Sequence, residues 1–435
     1  MEFKIKIPSN VNVLIHTLQS QGYSAYIVGG CVRDSLLRRK PNDWDICTSA
    51  TPDEMLNIFK DYRIIETGLK HGTVTILIDD EAYEVTTFRI DGEYSDNRRP
   101  DSVTFTDKLI EDLSRRDFTI NAMAYNDEEG LIDPFGGVKD ISNILIRCVG
   151  DACTRFDEDA LRVLRALRFS CQLGFAVEAS TGIAILNKAS LLKNISKERI
   201  NAEFCKMLCT EHFWNTVLLY EDVFCQFMPE LCELMDTRRS AEHNISNWKL
   251  ILNSLRNNNS KDLVTRLAIF FHGFKNIFAD GEKVVDNIMS GLRFDNKTIR
   301  DVTELVRCHD SPIEPEPVNI KLWLNLIGPD QFKRLLDIKQ AITKGCNWDI
   351  DKLEKIQSVN DLMNSILVNN ECYSIKQLAI NGDDIVELGY RPGKNIGYIL
   401  TDLLELSIED NSFNNKETLL NYVLKNYIDK ERIYI

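Results

Sequence analysis

The chain lacks an excess of positive charge. Its 435 residues include 52 Lys and Arg against 66 Asp and Glu, which gives a formal net charge of -14 and a pI near 5.1. This balance argues against a protein that coats nucleic acid through general positive charge. A local basic site is still compatible with it, because such binding depends on where the charges cluster.

Long apolar runs and paired cysteine motifs are also missing. No window approaches the roughly 18 uninterrupted apolar residues of a membrane span, and the opening MEFKIKIPSN has no apolar segment like that of a secretory signal. The 12 cysteines include no CxxC pair, which disfavours a zinc finger. We therefore expect free thiols in a reducing compartment and a cytoplasmic protein that does not enter a membrane.

Strand and helix patterns divide the chain into two parts. Up to about Phe135, the β-branched runs TVTILIDD and YEVTTF predict a hairpin, and Thr51, Pro52 and Glu54 predict a capped helix start. Beyond Phe135, apolar residues recur every three or four positions, which is typical of helices. The length suggests about two to four domains. The sequence thus predicts an α+β protein with an α/β head followed by helices.

Asp43 and Asp45 are separated by one residue in the segment NDWDI. On a strand, such residues point to the same face, where two carboxylates repel each other unless a cation lies between them. Oxygen ligands of this kind suit Mg²⁺, which also takes substrate phosphates as ligands. Glu84 on a later strand is a candidate third carboxylate. The alternative is a polar turn, with Glu84 as an exposed strand residue.

Gly29 and Gly30 precede the helical pattern CVRDSLL, in which Arg33 lies one turn from the start. Glycines let backbone amides approach phosphate closely, a helix N-terminus favours anions, and a guanidinium can bind two phosphate oxygens. Because a candidate metal site follows about a dozen residues later, the pattern predicts a nucleoside triphosphate bound beside Mg²⁺. A simple strand-to-helix turn is the alternative.

Charged residues spaced by three run through DEDALRVLRALRF, namely Asp159, Arg162, Arg165 and Arg168. On a helix, this spacing drifts slowly around one face. One interpretation is a basic amphipathic helix that makes internal ion pairs. The other is base selection, because a carboxylate beside a guanidinium matches the amino group and ring nitrogen that cytosine and adenine share. Uracil and guanine would leave these buried groups unpaired.

Several segments occur in the order found in one enzyme family: GGCVRD, DWDICTSATPDEM, ETGLKHGTVT, EVTTFR, RRDFTINAMAYN and FDEDALRVLRALRF. With them the chain resembles the class II tRNA nucleotidyltransferases, which comprise the CCA-adding enzymes and bacterial poly(A) polymerases. The resemblance is dense up to about residue 205. Near the end, ECYSIKQLAINGDDIVELGYRPGKNIGYIL is similar to the tail of the long clostridial-type CCA-adding enzymes.

The resemblance implies a polymerase-β-like nucleotidyltransferase head over 1–141, a helical neck over 142–206, a helical body over 207–365 and a helical, tRNA-contacting tail over 366–435. It implies Mg²⁺ at the catalytic residues Asp43 and Asp45, and nucleotide binding by Gly30, Arg33, Arg116, Asp159, Arg162, Arg165 and Arg168. Asp159 and Arg162 would select the base. The polar segment 88–105 would be a full-length flexible loop, needed to switch from C to A.

The implied activity is addition of C, C and A to the 3′ end of tRNA from CTP and ATP, with release of pyrophosphate. An A-adding enzyme shares these motifs and stays open as an alternative, whereas a poly(A) polymerase is disfavoured because the C-terminal region is not basic. The intact aspartate pair disfavours a non-catalytic RNA-binding scaffold. An HD phosphohydrolase is disfavoured because Leu250 and Gly273 stand where that pattern needs metal ligands, which leaves only His272.

Overall fold

The computed structural model describes residues 4–92, 94, 102–236 and 246–427. The chain divides into two compact units, of which the first comprises 1–233 with 291–293 and the second comprises 234–290 with 294–435. The predicted α+β class is confirmed, since an α/β head is followed by mainly helical structure. The boundaries of the four predicted domains stay a prediction.

The strands belong to the first unit and are short. They are β1 Ala25–Val28, β2 Ile46–Thr48, β3 Arg63–Ile65, β4 Thr73–Ile78, β5 Glu81–Thr87, β6 Arg89–Asp91, β7 Val103–Phe105, β8 Ala124–Asn126, β9 Gly130–Ile132, β10 Leu145–Ile146 and β11 Ala176–Val177. Seven of them form one sheet in the order β3-β4-β5-β2-β1-β8-β9. In this sheet β2 and β5 run parallel, and the other neighbours run antiparallel.

Helices cover this sheet and continue beyond it. Those of the first unit are α1 Ser9–Ser20, α2 Gly30–Leu36, α3 Pro52–Ile58, α4 Leu109–Ser114, α5 Gly137–Ser142, α6 Ala152–Glu158, α7 Leu161–Leu173, α8 Ala179–Lys188, α9 Lys197–Leu208, α10 Phe213–Leu219 and α11 Glu221–Cys225, and α12 Glu230–Asp236 spans the division between the units. The apolar faces of α1 and α3 pack with β1, β4 and β5 in one buried cluster. That core holds the central strands beside which the candidate site lies.

Local sequence signals explain several of these elements. The predicted hairpin is β4–β5, and its turn residues Asp79 and Asp80 have positive φ values of 50° and 61°, which suit a two-residue hairpin turn. The predicted capping box forms between Thr51 and Glu54 at the start of α3. Gly174 ends α7 with a φ of 71°, as expected for a helix terminator. One local difference is the parallel ladder β10–β11, which lies within the predicted helical neck.

The described part of the second unit is helical. It contains α13 Asn247–Arg256, α14 Leu263–Phe271, α15 Gly281–Gly291, α16 Asn296–Cys308, α17 Pro317–Cys346, α18 Ile350–Val368, α19 Gly382–Glu387, α20 Lys394–Glu409 and α21 Lys416–Asn426, with the last residue of α15 assigned to the first unit. Within α17, Gly328 adopts a φ of 77° and precedes Pro329, so the helix is interrupted there. No helix in the described ranges is long and apolar enough to cross a membrane.

Two sequence expectations concern cysteine and histidine. The expectation of free thiols is wrong for Cys225 and Cys232, which form a disulfide in this structure. In the predicted HD-like region, His272 is only 1% exposed and Leu250 only 2%. A side chain at Gly273 would place its Cβ 2.8 Å from Ile251 Cδ1. A carboxylate side chain at this position therefore requires the Ile251 side chain on α13 to move.

Candidate active site

The candidate metal site lies beside the parallel strands β2 and β5. Asp43 and Asp45 come just before β2, so the expectation that they lie on a strand is wrong. In the parallel ladder Ile46 pairs with Val85, which places Glu84 beside Asp45. Asp43, Asp45 and Glu84 are all exposed. The sheet therefore brings three accessible carboxylates together beside its central strands β2 and β5, and we call this group the carboxylate edge.

The three carboxylates affect one another electrostatically. Reduced hydration in the folded protein raises the pKa of Asp45; Arg116 opposes this rise, and the negative charges of Glu84 and Asp43 add to it. Among the described residues, none of the three carboxylates accepts a hydrogen bond or forms an ion pair, and no three His, Cys, Asp or Glu side chains form a ready metal cluster. A hard cation fits this oxygen donor set when substrate phosphates complete its coordination.

The turn between β1 and α2 requires glycine at position 29. Gly29 has a φ of 81°, and a Cβ there would lie 3.0 Å from Arg116 Nη1. Gly30 begins α2, and a Cβ there would meet Arg33 Nη2 at an ordinary contact distance of 3.7 Å. The steric requirement for glycine thus falls on Gly29, while the predicted phosphate role of Gly30 stays a prediction.

The guanidinium of Arg33 is already engaged by protein groups. Its Nε and Nη2 donate to the carboxylate of Asp34 at 2.9 and 3.0 Å, and Nη1 donates to Asn121 Oδ1 at 2.7 Å. The guanidinium also lies 5.0 Å from the ring centroid of Phe169. To bind a triphosphate with two hydrogen bonds, Arg33 would have to exchange Asp34 for phosphate oxygens.

Asp112 on α4 is a fully buried carboxylate that holds two arginines. It accepts hydrogen bonds from Arg115 Nη2 at 2.8 Å and from Arg116 Nη2 at 3.2 Å. Burial alone would raise the pKa of Asp112, but the positive charges of Arg116 and Arg115 outweigh it and lower the pKa. Arg116 Nε is buried without a hydrogen-bond partner. The guanidinium of Arg116 lies close to Gly29, and its positive charge acts on Asp45.

The structure separates Asp159 from the helix that carries the three arginines. Asp159 follows the last residue of α6 and precedes α7, so the expectation of one continuous helical face is wrong for this residue. Its carboxylate accepts a hydrogen bond from Arg199 Nη2 at 3.0 Å. Arg162 is buried, and its Nη1 donates to Glu158 at 2.5 Å. The two proposed base-selecting side chains therefore have different protein partners.

Arg165 and Arg168 on α7 form internal ion pairs. Arg165 donates from Nε and Nη2 to Asp117 Oδ2 at 2.8 and 2.6 Å, and Arg168 Nε donates to Glu203 at 2.5 Å. Burial alone would raise the pKa of Asp117, but Arg165 outweighs it and lowers the pKa to about 2. In this structure both arginines therefore make the internal ion pairs that one interpretation of the charged helix predicted.

Sequence analysis missed two buried polar residues that connect these groups. Asn121 Nδ2 donates to Asp117 Oδ1 at 3.2 Å, while Asn121 Oδ1 accepts from Arg33. A continuous network therefore runs from Arg165 through Asp117 and Asn121 to Arg33. The available signal was the polar residues inside the apolar run DFTINAMA, which a folded protein tolerates only when they have hydrogen-bond partners.

The predicted flexible loop 88–105 is partly ordered at its ends. Strands β6 and β7 pair antiparallel, with Arg89 opposite Phe105 and Asp91 opposite Val103. Residues 93 and 95–101, the centre of the predicted loop, lie outside the described residues.

Three protein-family descriptions match the chain. The poly A polymerase head domain matches residues 25–147, and the family described as "Probable RNA and SrmB- binding site of polymerase A" matches 174–235. Domain 2 of the tRNA nucleotidyltransferases matches 277–423. The first match contains the carboxylate edge and Arg116, so the head motifs and the sheet geometry agree.

Known proteins resemble the chain over nearly its whole length. The CCA-adding enzyme of Enterococcus faecalis is 34% identical, and the alignment covers 98% of this chain and 96% of that protein. The CCA-adding enzyme of Geobacillus thermodenitrificans is 49% identical over 52% of this chain and 56% of that one. The match to the Geobacillus protein thus spans about half of each chain.

Solved structures agree with the sequence relatives. The Bacillus stearothermophilus CCA-adding enzyme in complex with CTP is 30% identical, with a TM-score of 0.74 and coverage of 98% of this chain and 99% of that chain. The Thermotoga maritima CCA-adding enzyme complexed with tRNA has a TM-score of 0.64 at 20% identity, over 98% and 99% of the two chains, which supports the fold. The Enterococcus protein is 34% identical over nearly the full length of both chains. Together with the solved structures, this match shows that the chain belongs to the CCA-adding enzyme family of class II tRNA nucleotidyltransferases.

Proposed function

We propose that this chain adds C, C and A to the 3′ end of tRNA, using CTP and ATP and releasing pyrophosphate. The observation that carries the proposal is the position of three accessible carboxylates, Asp43, Asp45 and Glu84, beside the unsatisfied Nε of Arg116. Membership of the family supports the same activity, and relatives have been solved in complex with CTP, with ATP and with tRNA. We also propose a cytoplasmic location, where tRNA is available.

Asp43 and Asp45 hold a divalent cation in this proposal, and we take that cation to be Mg²⁺. Their carboxylates offer hard oxygen ligands and have no competing hydrogen bonds among the described residues. Such an ion lowers the pKa of an attacking hydroxyl and stabilises a phosphate leaving group. The new bond joins the 3′ oxygen of tRNA to the α-phosphorus as the bond to the β-phosphate breaks, and the hydroxyl proton is released.

The nucleotide lies between the metal site and α7. Gly30 and Arg33 bind the triphosphate, and Arg116 positions the nucleotide through its unsatisfied Nε. Asp159 accepts a hydrogen bond from the amino group of cytosine or adenine, and Arg162 donates to the adjacent ring nitrogen. Arg165 and Arg168 support this face of the helix through their ion pairs. Residues 366–435 contact tRNA mainly through shape and phosphates.

Incorporation of labelled nucleotides into a tRNA transcript that lacks its 3′ CCA tests this function. With Mg²⁺, we expect two C from CTP alone, and two C followed by one A and a stop from CTP and ATP together. UTP and GTP serve as controls and are expected to give no product. One A added only to a transcript that already ends in CC would identify an A-adding enzyme, and a long A ladder would identify a poly(A) polymerase. No incorporation with tRNA still bound would contradict the enzyme proposal.

A further inference from the structure

The second unit contains a cleft that the nucleotidyl transfer site does not use. Its volume is about 780 Å³, and α13, α17 and α18 line it together with residues 309–313. We call it the body cleft. Leu250, Ile313, Leu336, Ile356 and Val359 supply its aliphatic surface. The volume lies within the range of about 300–1,000 Å³ that is typical of small-molecule sites, and more than half of the lining residues carry polar side chains.

Asn247 lines the body cleft with an unsatisfied amide. The residue is only 4% exposed, and its Oδ1 is buried without a hydrogen-bond partner. Its Nδ2 has no partner among the described residues either. A buried polar group without a partner costs about 1–3 kcal/mol, so native proteins rarely retain one without a reason. The amide presents a donor beside an acceptor, which is the pattern that pairs with two adjacent polar atoms of a purine.

The charged groups of the body cleft are mainly positive. Lys339 Nζ donates to the carbonyl oxygens of His309 and Ser311 at 2.8 and 2.6 Å, which leaves one of its three N–H groups available. Lys352 and Lys355 on α18 add two further ammonium groups to the lining. Asp310, the acidic side chain among the described lining residues, forms an ion pair with Lys275 at 2.7 Å.

The partner carboxylates of Lys352 and Lys355 lie outside this lining. Lys355 pairs with Glu314 at 2.7 Å, and Lys352 lies 3.8 Å from Asp349. Both pairs are partly exposed, and such pairs are weak because water screens them. An anion in the cleft can therefore compete for both ammonium groups.

His309 contributes a hydrogen-bonding group to the body cleft. His309 Nδ1 donates to the carbonyl of Val306 at 2.7 Å, which leaves Nε2 as an acceptor. Burial lowers the pKa of His309, so the ring is neutral near pH 7. No group of three metal-ligating side chains was found in the described part of the chain. His309 thus supplies a hydrogen-bond acceptor to the cleft.

We propose that the body cleft binds an organic anion of the size and chemistry of a purine nucleoside monophosphate. The planar base packs against the aliphatic wall and pairs with the Asn247 amide. The phosphate lies near Lys339, Lys352 and Lys355. This site is separate from the carboxylate edge, because all of its residues belong to the second unit.

Binding of adenosine 5′-monophosphate to the full-length protein, measured by calorimetry, tests the proposal. We expect saturable binding, and we expect adenosine and ribose 5-phosphate each to bind at least about tenfold more weakly, since each keeps only half of the contacts. Asn247→Ala and the double variant Lys352→Glu/Lys355→Glu should each weaken binding by about tenfold or more. The exposed residue Lys376 provides the matched control, and Lys376→Glu should bind within about twofold of the unchanged protein.

The head site must be distinguished from the body cleft. Arg116→Ala should leave adenosine 5′-monophosphate binding intact, because Arg116 lies in the first unit. An NMR experiment locates the ligand without any variant. It measures magnetisation transfer from the adenine protons to the methyl groups of Ile313, Ile356 and Val359, which line the body cleft. Absence of binding at millimolar ligand, or binding that Arg116→Ala abolishes and Asn247→Ala leaves unchanged, would overturn the proposal.

Discussion

Two charged regions of the first unit differ in how their charges are satisfied. At the carboxylate edge, Asp43, Asp45 and Glu84 are exposed and make no hydrogen bond or ion pair within the described ranges. On α7, Arg165 and Arg168 are held by buried carboxylates at 2.5–2.8 Å. The first region carries uncompensated negative charge, whereas the second is neutralised within the protein.

The difference indicates which groups are available to bind a ligand. Uncompensated carboxylates favour a cation, and a metal–nucleotide complex supplies one together with phosphate ligands. In the proposed function, the paired arginines are fixed in place before the nucleotide binds and position the elements around it. Arg33 and Arg162 are intermediate cases, because each must release a carboxylate, Asp34 or Glu158, before it can bind a nucleotide with its full set of donors.

The largest effect is expected from removal of divalent cations. Treatment with EDTA followed by gel filtration should lower CTP incorporation by at least about a thousandfold, since metal ions contribute several kcal/mol to phosphoryl transfer. Adding Mg²⁺ back should restore the rate. An unchanged rate of CTP incorporation in metal-free buffer would contradict the proposal that the carboxylate edge binds a catalytic metal ion.

The next largest effect is expected at Asp112, which neutralises two arginines. Asp112→Ala leaves Arg115 and Arg116 without this buried partner and should lower the free energy of unfolding by about 3–5 kcal/mol. Urea unfolding followed by circular dichroism measures the change. The exposed Asp107 lies five residues away, and Asp107→Ala should change stability by no more than about 0.5 kcal/mol. Equal effects of the two substitutions would show that the buried pairs contribute little.

Acid pH should weaken the paired region specifically. The folded-state pKa of Asp117 is about 2 against an ordinary value of 3.8, so its ionisation stabilises the fold above about pH 4. This contribution, about 2 kcal/mol, is lost as the pH falls towards 2. In Asp117→Asn, the free energy of unfolding should therefore depend less steeply on pH in this range than in the unchanged protein. Asp61 is exposed, so Asp61→Asn serves as the control and should keep the pH dependence of the unchanged protein. An equally steep pH dependence in Asp117→Asn and the unchanged protein would contradict the ion-pair assignment.

The smallest effect is expected at Glu84. This residue lies beside Asp45, but the proposal assigns the metal to Asp43 and Asp45. Glu84→Gln should lower CTP incorporation by about tenfold and raise the Mg²⁺ concentration needed for half-maximal rate, because it removes one negative charge near the metal. The exposed residue Glu66 provides the control, and Glu66→Gln should leave both values unchanged. Unchanged values for Glu84→Gln as well would exclude it from the metal site.

Sequence reasoning predicted the local elements better than the contacts between them. The capping box at Thr51 and the β4–β5 hairpin follow from residues close in the chain, and both are confirmed. The hydrogen bond between Asn121 and Arg33 joins residues 88 positions apart, and no local pattern encodes such a pair. The break before α7 at Asp159 was also missed, because the three-residue spacing looks helical on either side of it.

The family resemblance supplied what physical reasoning alone left open. The spacing of Asp43 and Asp45 is compatible with either a metal site or a polar turn. The parallel register of β2 and β5, which places Glu84 beside Asp45, became visible only in the folded chain. The Cys225–Cys232 pair likewise does not match a CxxC motif, because the two cysteines lie seven positions apart.

Parallel measurement of tRNA binding and nucleotide incorporation in Asp43→Ala and Asp45→Ala tests the central claim most directly. The account predicts that each substitution abolishes addition of C and A, while tRNA binding stays within about twofold of the unchanged protein, because the carboxylates hold the metal and not the tRNA. Exposed Asp61→Ala should affect neither quantity. Incorporation that survives both substitutions, or tRNA binding that falls as far as incorporation does, would contradict the assignment of these aspartates as the catalytic metal ligands.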